Sequence, residues 1–156
     1  MRIPVLLLLL FIVSCQQHVD ARNDKDTTSN NIDKNASPLI DNFFKGIKSG
    51  NYNKALEELL SQNENIDLKD SATFSLQEKF NGINQYSGAY VDSKVLKKRF
   101  VKDAIGMYTY LVRYEKKFYR FTFIYYDNGT KVSIYKFTFD DVLEFELEES
   151  LKLYTE

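Results

Sequence analysis

The chain has 156 residues and a nearly balanced charge, 21 basic against 22 acidic side chains, with the basic ones scattered among the acidic. That balance gives no electrostatic case for nucleic-acid binding or for a polybasic membrane patch. Cys15 is the only cysteine, which excludes an intramolecular disulfide. The only histidine, His18, precedes the folded part, so neither a Ser-His-Asp nor a Cys-His nucleophile system can be assembled there. The usual nitrogen and sulfur ligands of zinc are missing for the same reason, glycine-rich phosphate loops are absent from the sequence, and no cofactor is expected.

Met1-Arg2-Ile3-Pro4 leads into Val5–Val13, an apolar run too short to cross a bilayer comfortably as a helix. A single positive charge before a short apolar core is the pattern of a signal peptide. The core closes on Ile12-Val13-Ser14-Cys15, which resembles a lipobox. Small Ser14 suits the residue before the cut, and the Cys15 thiol is placed to receive diacylglycerol and to become the new N-terminus. Residues 1–14 are therefore expected to be a lipoprotein signal peptide. Each buried acyl methylene stabilises membrane attachment by on the order of 0.8 kcal/mol, so the expected partner of the N-terminus is a membrane of the bacterial cell envelope. Gln16 does not resemble the aspartate that retains lipoproteins at an inner membrane, which points to the periplasmic side of the outer membrane if the cell is Gram-negative.

From Gln16 to Ser37 large apolar residues are nearly absent, Val19 and Ile32 excepted. Such a stretch buries too little surface to offset its chain entropy, so residues 15–37 read as the lipidated cysteine and a disordered tether. Residues 38–156 are then one small domain. Ser37-Pro38 has the chemistry of a helix start, a hydroxyl to cap free amides and a proline where a missing N–H costs nothing. Leu39, Ile40, Phe43, Phe44 and Ile47 mark its apolar face. Gly50 suits a left-handed helix end, and Asn51 can cap a second helix carrying Tyr52, Ala55, Leu56, Leu59 and Leu60. A third helix is predicted from about Ser71 to Asn84, with Phe74, Leu76, Phe80 and Ile83 as its apolar members.

After Tyr86 the pattern changes to the alternation and the aromatic and β-branched residues that strands prefer. Tyr86, Gly88, Tyr90, Val95 and Val101 are predicted in one or two strands, with Gly88 a candidate bulge. Met107–Tyr114 and Phe118–Tyr126 alternate and are predicted to pair. Asp127-Asn128-Gly129 signals a hairpin into a last strand, Lys131–Phe139. The tail, residues 140–156, carries Leu143, Leu147, Leu151 and Tyr154 at helical spacing, although Leu143, Phe145 and Leu147 also suit a strand; helix is the favoured reading.

Helices followed by antiparallel strands argue for an α+β domain in which N-terminal helices pack on a curved antiparallel sheet. The corner Ser49-Gly50-Asn51-Tyr52-Asn53-Lys54-Ala55, the Tyr86-Ser87-Gly88 entry to the sheet and the Tyr126-Asp127-Asn128-Gly129 hairpin resemble small bacterial lipoproteins with an NTF2-like, cystatin-related domain of unknown function. The resemblance runs from Pro38 to about Phe139. Lys131 departs from it, since such domains often carry a tryptophan after the hairpin glycine. A cone of this kind can enclose a pocket, and related enzymes place an acidic residue in it, for which Asp103, Glu115 and Asp140 are the candidates here.

The densest chemical feature is aromatic. Tyr108, Tyr110, Tyr119, Phe121, Phe123 and Tyr125 are the candidate lining of a pocket or interface, although a core face backed by strand-forming tyrosine would show the same pattern and is the favoured reading. The expected function is a non-catalytic, lipid-anchored binding or accessory module whose partner is an envelope protein or a small ligand. The alternatives are a carboxylate-dependent envelope enzyme and an immunity or inhibitor lipoprotein.

Overall fold

Apolar residues recur at helical spacing through Ile32, Ala36, Ile40, Phe43, Phe44 and Ile47, and all of them are buried in helix α1, Asn31–Lys48. The computed structural model describes residues 31–144 and Glu148; residues 1–14, on which the expected signal peptide falls, and Cys15 and His18 lie outside those residues. The helix start predicted at Ser37-Pro38 is therefore corrected, because α1 takes in Asn31–Ser37 from the expected tether and carries Pro38 in its interior. An interior proline costs about 3 kcal/mol through its lost N–H and its ring. Two things offset that cost. Pro38 sits on the exposed side of the helix, and Ile32 and Ala36 are both fully buried, Ile32 alone contributing roughly 1.5–3 kcal/mol. The stripe is hard to see in the sequence because Ile32 and Ala36 are surrounded by polar residues.

Gly50, with φ +77°, ends the first helix as expected. Asn51 stands at the head of α2, Tyr52–Leu60, but it helps through its backbone carbonyl, which accepts from Ala55 N at 3.0 Å, and not through its side chain. Helix α3, Ser71–Ser87, is capped by Asp70, whose carboxylate accepts from Thr73 N at 2.7 Å. It buries Thr73, Phe80, Ile83 and Ser87, while Phe74 is 58% exposed, so the predicted apolar face is displaced by one residue at its start. Tyr86 belongs to this helix and Gly88 caps it, which corrects their predicted place in a strand.

The strands β1 (Tyr90–Val101), β2 (Ile105–Tyr114), β3 (Phe118–Asp127) and β4 (Val132–Asp140) form an antiparallel meander in the order β1-β2-β3-β4. Register shifts break β1 between Tyr90 and Asp92 and between Val95 and Lys97. Such bulges, with Lys94, Lys97 and Lys98 along the strand, blunt an edge that would otherwise invite pairing. The β3–β4 turn is set by Asn128, whose side-chain oxygen accepts from Thr130 N and Lys131 N at 3.0 and 2.9 Å. At the end of β4, Glu144 and Glu148 are helical; residues 145–147 and 149–156, on which the rest of the tail prediction falls, lie outside the described residues.

Period-two alternation places Tyr108, Tyr110, Val112 and Tyr114 of β2 and Phe121, Phe123 and Tyr125 of β3 on the face that meets the helices. Phe43 of α1 enters that layer with ring centroids 5.3 Å from Phe123, 5.3 Å from Phe137 and 5.6 Å from Phe80. Gly106 lets the other end of α1 come equally close, since a Cβ there would stand 2.7 Å from Ile32 Cγ2. Phe43→Ala is expected to cost about 3–5 kcal/mol and Ile32→Ala about 2–5 kcal/mol in urea unfolding, with Phe74→Ala near neutral. A neutral Ile32→Ala would place residues 31–37 outside the cooperative fold.

Candidate functional site

The six aromatic residues singled out as a pocket or interface occupy the interior of the domain. Tyr108, Phe121, Phe123 and Tyr125 are fully buried, Tyr110 is 8% exposed and Tyr119 is partly buried against the core. Beneath the helices the described residues pack ring against ring, with Phe44 5.0 Å from Tyr110 and Phe80 5.8 Å from Phe121. Edge-to-face pairs dominate, as the quadrupoles of the rings favour: Tyr108 meets Tyr125 at 90° and Tyr110 meets Phe123 at 88°. These six residues lie in or against the core cluster, to which helices α1 and α3 each contribute phenylalanines.

The hydroxyls in this layer have a separate signature. Those of Tyr108, Tyr114 and Tyr125 are buried without a hydrogen-bond partner among the described residues. Burial pushes all three well above the ordinary phenol range, with Asp33 adding to the effect at Tyr108 and Tyr52 at Tyr114. Burial, reinforced by the charges of Asp41 and Asp33, pushes Tyr110 up to about 12. Tyrosines in such surroundings stay neutral and are poor general bases.

One polar cluster stands where α1 crosses β1 and β2. Asp33 Oδ1 accepts from Lys98 Nζ and from Ser37 Oγ, each at 2.8 Å, and the Lys98 ammonium stands 5.3 Å from the centre of the Tyr108 ring. The Tyr108 hydroxyl faces Asp33 without reaching hydrogen-bond geometry. Burial works to raise the Asp33 pKa, but the hydrogen bonds from Lys98 and Ser37 and the Lys98 charge outweigh it and hold the carboxyl below its usual range. An acid kept ionised by a partner is a tie between elements, the reverse of a proton donor. Nearby, Asn31 Nδ2 donates to Asp127 Oδ2 at 2.9 Å and fastens the first turn of α1 to the end of β3.

The carboxylates considered for acid–base work do not converge. Asp103 is exposed in the β1–β2 turn, Glu115 is exposed and accepts from Ala89 N at 3.0 Å, and Asp140 pairs with Arg120 at 3.0 Å. An open groove of about 310 Å³ lies elsewhere, between α1 and α2, lined by polar and small residues that include Asn42, Lys45, Ser49, Lys54 and Glu58. Among the described residues there is no cluster of three or more potential metal ligands, and no helix is long and apolar enough to cross a membrane. No protein family, curated protein or solved structure matches this chain.

The ionisable groups yield two opposite pH dependences. Asp33 has a lowered folded pKa, so its contribution is present above the unfolded carboxylate value near 3.9 and fades as pH falls through the folded value. Asp33→Asn is expected to lower the melting temperature at neutral pH and to flatten the acid limb of its pH profile. The buried tyrosines have raised folded pKa values, so their contribution is complete below the ordinary phenol value of 10.0 and is lost as pH rises above it. Alkaline titration followed by tyrosinate absorbance and circular dichroism together should show the last part of the tyrosine ionisation coinciding with loss of fold; complete ionisation of all the tyrosines within an intact fold would contradict the packing described.

Proposed function

We propose that this protein is a lipid-anchored module of the bacterial cell envelope that binds a partner through its surface and performs no catalysis. The observation that carries this reading is the aromatic filling of the interior: with Phe43, Phe44, Phe80, Phe121 and Phe137 packed between helices and sheet, recognition falls to the outside of the domain. The dispersal of Asp103, Glu115 and Asp140 over separate outer positions weighs against the carboxylate-dependent enzyme. We read the arrangement of helices and sheet as NTF2-like, supported by the order of three helices before a four-stranded antiparallel sheet, with the cone closed by rings.

The anchor rests on the leader sequence and on Ser14-Cys15. Because α1 is already formed at Asn31, the segment between Cys15 and the domain is shorter than the composition suggests, and fully extended it reaches at most about 50 Å. The domain would work close to the membrane surface. Expression in a bacterium with a lipoprotein-processing pathway tests the anchor directly through intact mass and detergent partitioning of the wild type and Cys15→Ala. An acylated, detergent-phase wild type beside an unmodified, aqueous Cys15→Ala is the expected result. A wild type of unmodified mass in the aqueous phase would overturn the reading.

A further inference from the structure

Three parts of the chain meet at one end of the sheet. The β1–β2 turn, residues 102–104, and the β3–β4 turn, residues 128–131, are both there, since Val101 pairs with Ile105, Ile105 with Tyr126 and Asp127 with Val132. The first turn of α1 joins them through the Asn31–Asp127 hydrogen bond and the close approach of Ile32 to Gly106. Backbone bonds tie this end together: Asp127 N donates to the Ala104 carbonyl at 2.9 Å, and Ala104 N to the Val101 carbonyl at 3.3 Å.

The rim of this end is apolar where a solvated strand end would be polar. Val101 is 62% exposed, Tyr126 44%, Phe100 39% and Ile105 38%. Val101, Ile105 and Tyr126 are successive register partners across β1, β2 and β3, so their side chains stand in one row on the face turned away from the helices. Phe100 flanks the row on the other face, its ring 5.8 Å from that of Tyr108. Arg99, Lys102 and Lys131 are exposed around the rim, against the exposed Asp103; the Asp127 carboxylate is engaged by Asn31 and by Gly129 N. Aliphatic bodies, a tyrosine hydroxyl and cations on long apolar stems are the side chains that suit the boundary between acyl chains and headgroups.

We propose that this rim, Phe100, Val101, Ile105 and Tyr126, rests in the surface of the lipid bilayer and sets the domain on end against it. The proposal builds on the reading of Cys15 as a lipid anchor. The chain leading from Cys15 enters the domain at Asn31, at this very end, over at most about 50 Å. The β2–β3 turn is at the other end of β2, whose 10 residues span roughly 30 Å. Anchoring holds the rim at a high effective concentration beside the bilayer, so a small apolar contact suffices to orient the domain. The β2–β3 turn and the end of α3 then point away from the membrane and are presented to a partner.

The chain has no tryptophan, so a single one introduced into it reports its own surroundings. Val101→Trp is compared with Phe118→Trp, a residue 46% exposed at the opposite end of the sheet. Both full-length proteins are produced in a bacterium with a lipoprotein-processing pathway, checked by intact mass and circular dichroism, and reconstituted into phosphatidylcholine–phosphatidylglycerol vesicles with plain or brominated acyl chains. Bromination is expected to lower the emission of Val101→Trp at least about twofold and to leave Phe118→Trp within about a tenth of its value, because side chains seated at the interface reach the acyl boundary. Ile105→Trp supplies the same reading should Val101→Trp not fold. Acylated proteins quenched equally at both positions, or at neither, would overturn the proposal while the anchor stands. Emission at position 101 that is blue-shifted but not quenched would assign the rim to a second copy of the chain and overturn it too. An unmodified mass would overturn the anchor, and the proposal with it.

Discussion

The insertion of Phe43 into the aromatic layer is the contact on which the rest of the domain is arranged. Its ring reaches strands β3 and β4 and helix α3 at once, and Phe80 of α3 repeats the pattern with Phe121, Phe137 and Phe139. A meander of this kind has an apolar face that is useless until something covers it. Rings fill volume with few rotatable bonds, so one helix crossing a sheet can create a dense interior without a second sheet. The chain contains 12 phenylalanines and 11 tyrosines and no tryptophan, and the layer uses both types, phenylalanine at its centre and tyrosine toward its ends.

That composition also sets what the interior can do. Phenylalanine brings no polar atom, and the buried tyrosine hydroxyls are held neutral by their surroundings. The polar ties are at the margin: Asp33 with Lys98 and Ser37, Asn31 with Asp127, and Asp92 with Arg113. Charges that are one-third exposed add modest stability. The geometry of the Asp33 and Asn31 ties fixes where α1 lies on the sheet, which the non-directional packing of rings leaves loosely specified.

The sequence made the strands legible because β2 and β3 alternate without interruption, and the Asn128 turn joins two such runs. It made the α1–α2 corner legible through Gly50. Three features were hidden, each for a physical reason. Ile32 and Ala36 lie in polar company, so the first two turns of α1 resemble solvated chain until the sheet is there to bury them. Gly88 is a helix cap in this context, yet a glycine before a strand pattern serves a bulge as readily. The aromatic set of β2 and β3 gave a core and a pocket the same signature, because period two reports which side chains share a face and says nothing about what lies opposite. Phe43, Phe44 and Phe80 decide that question, and they come from elsewhere in the chain. The Asp33–Lys98 tie joins residues 65 apart in sequence and had no local signal at all.

Pro38 divides α1 into unlike halves. The missing N–H interrupts the hydrogen-bond ladder at one rung, so the turn on the Asn31 side is not locked to the turn on the Phe43 side by backbone bonding alone. The later half is clamped by aromatic contacts; the earlier half is held by Ile32, Ala36 and the polar ties to β1 and β3. Helices normally fray from their ends inward, one residue at a time. A break in the ladder at Pro38 instead favours the opening of residues 31–37 together, ahead of the body of the domain.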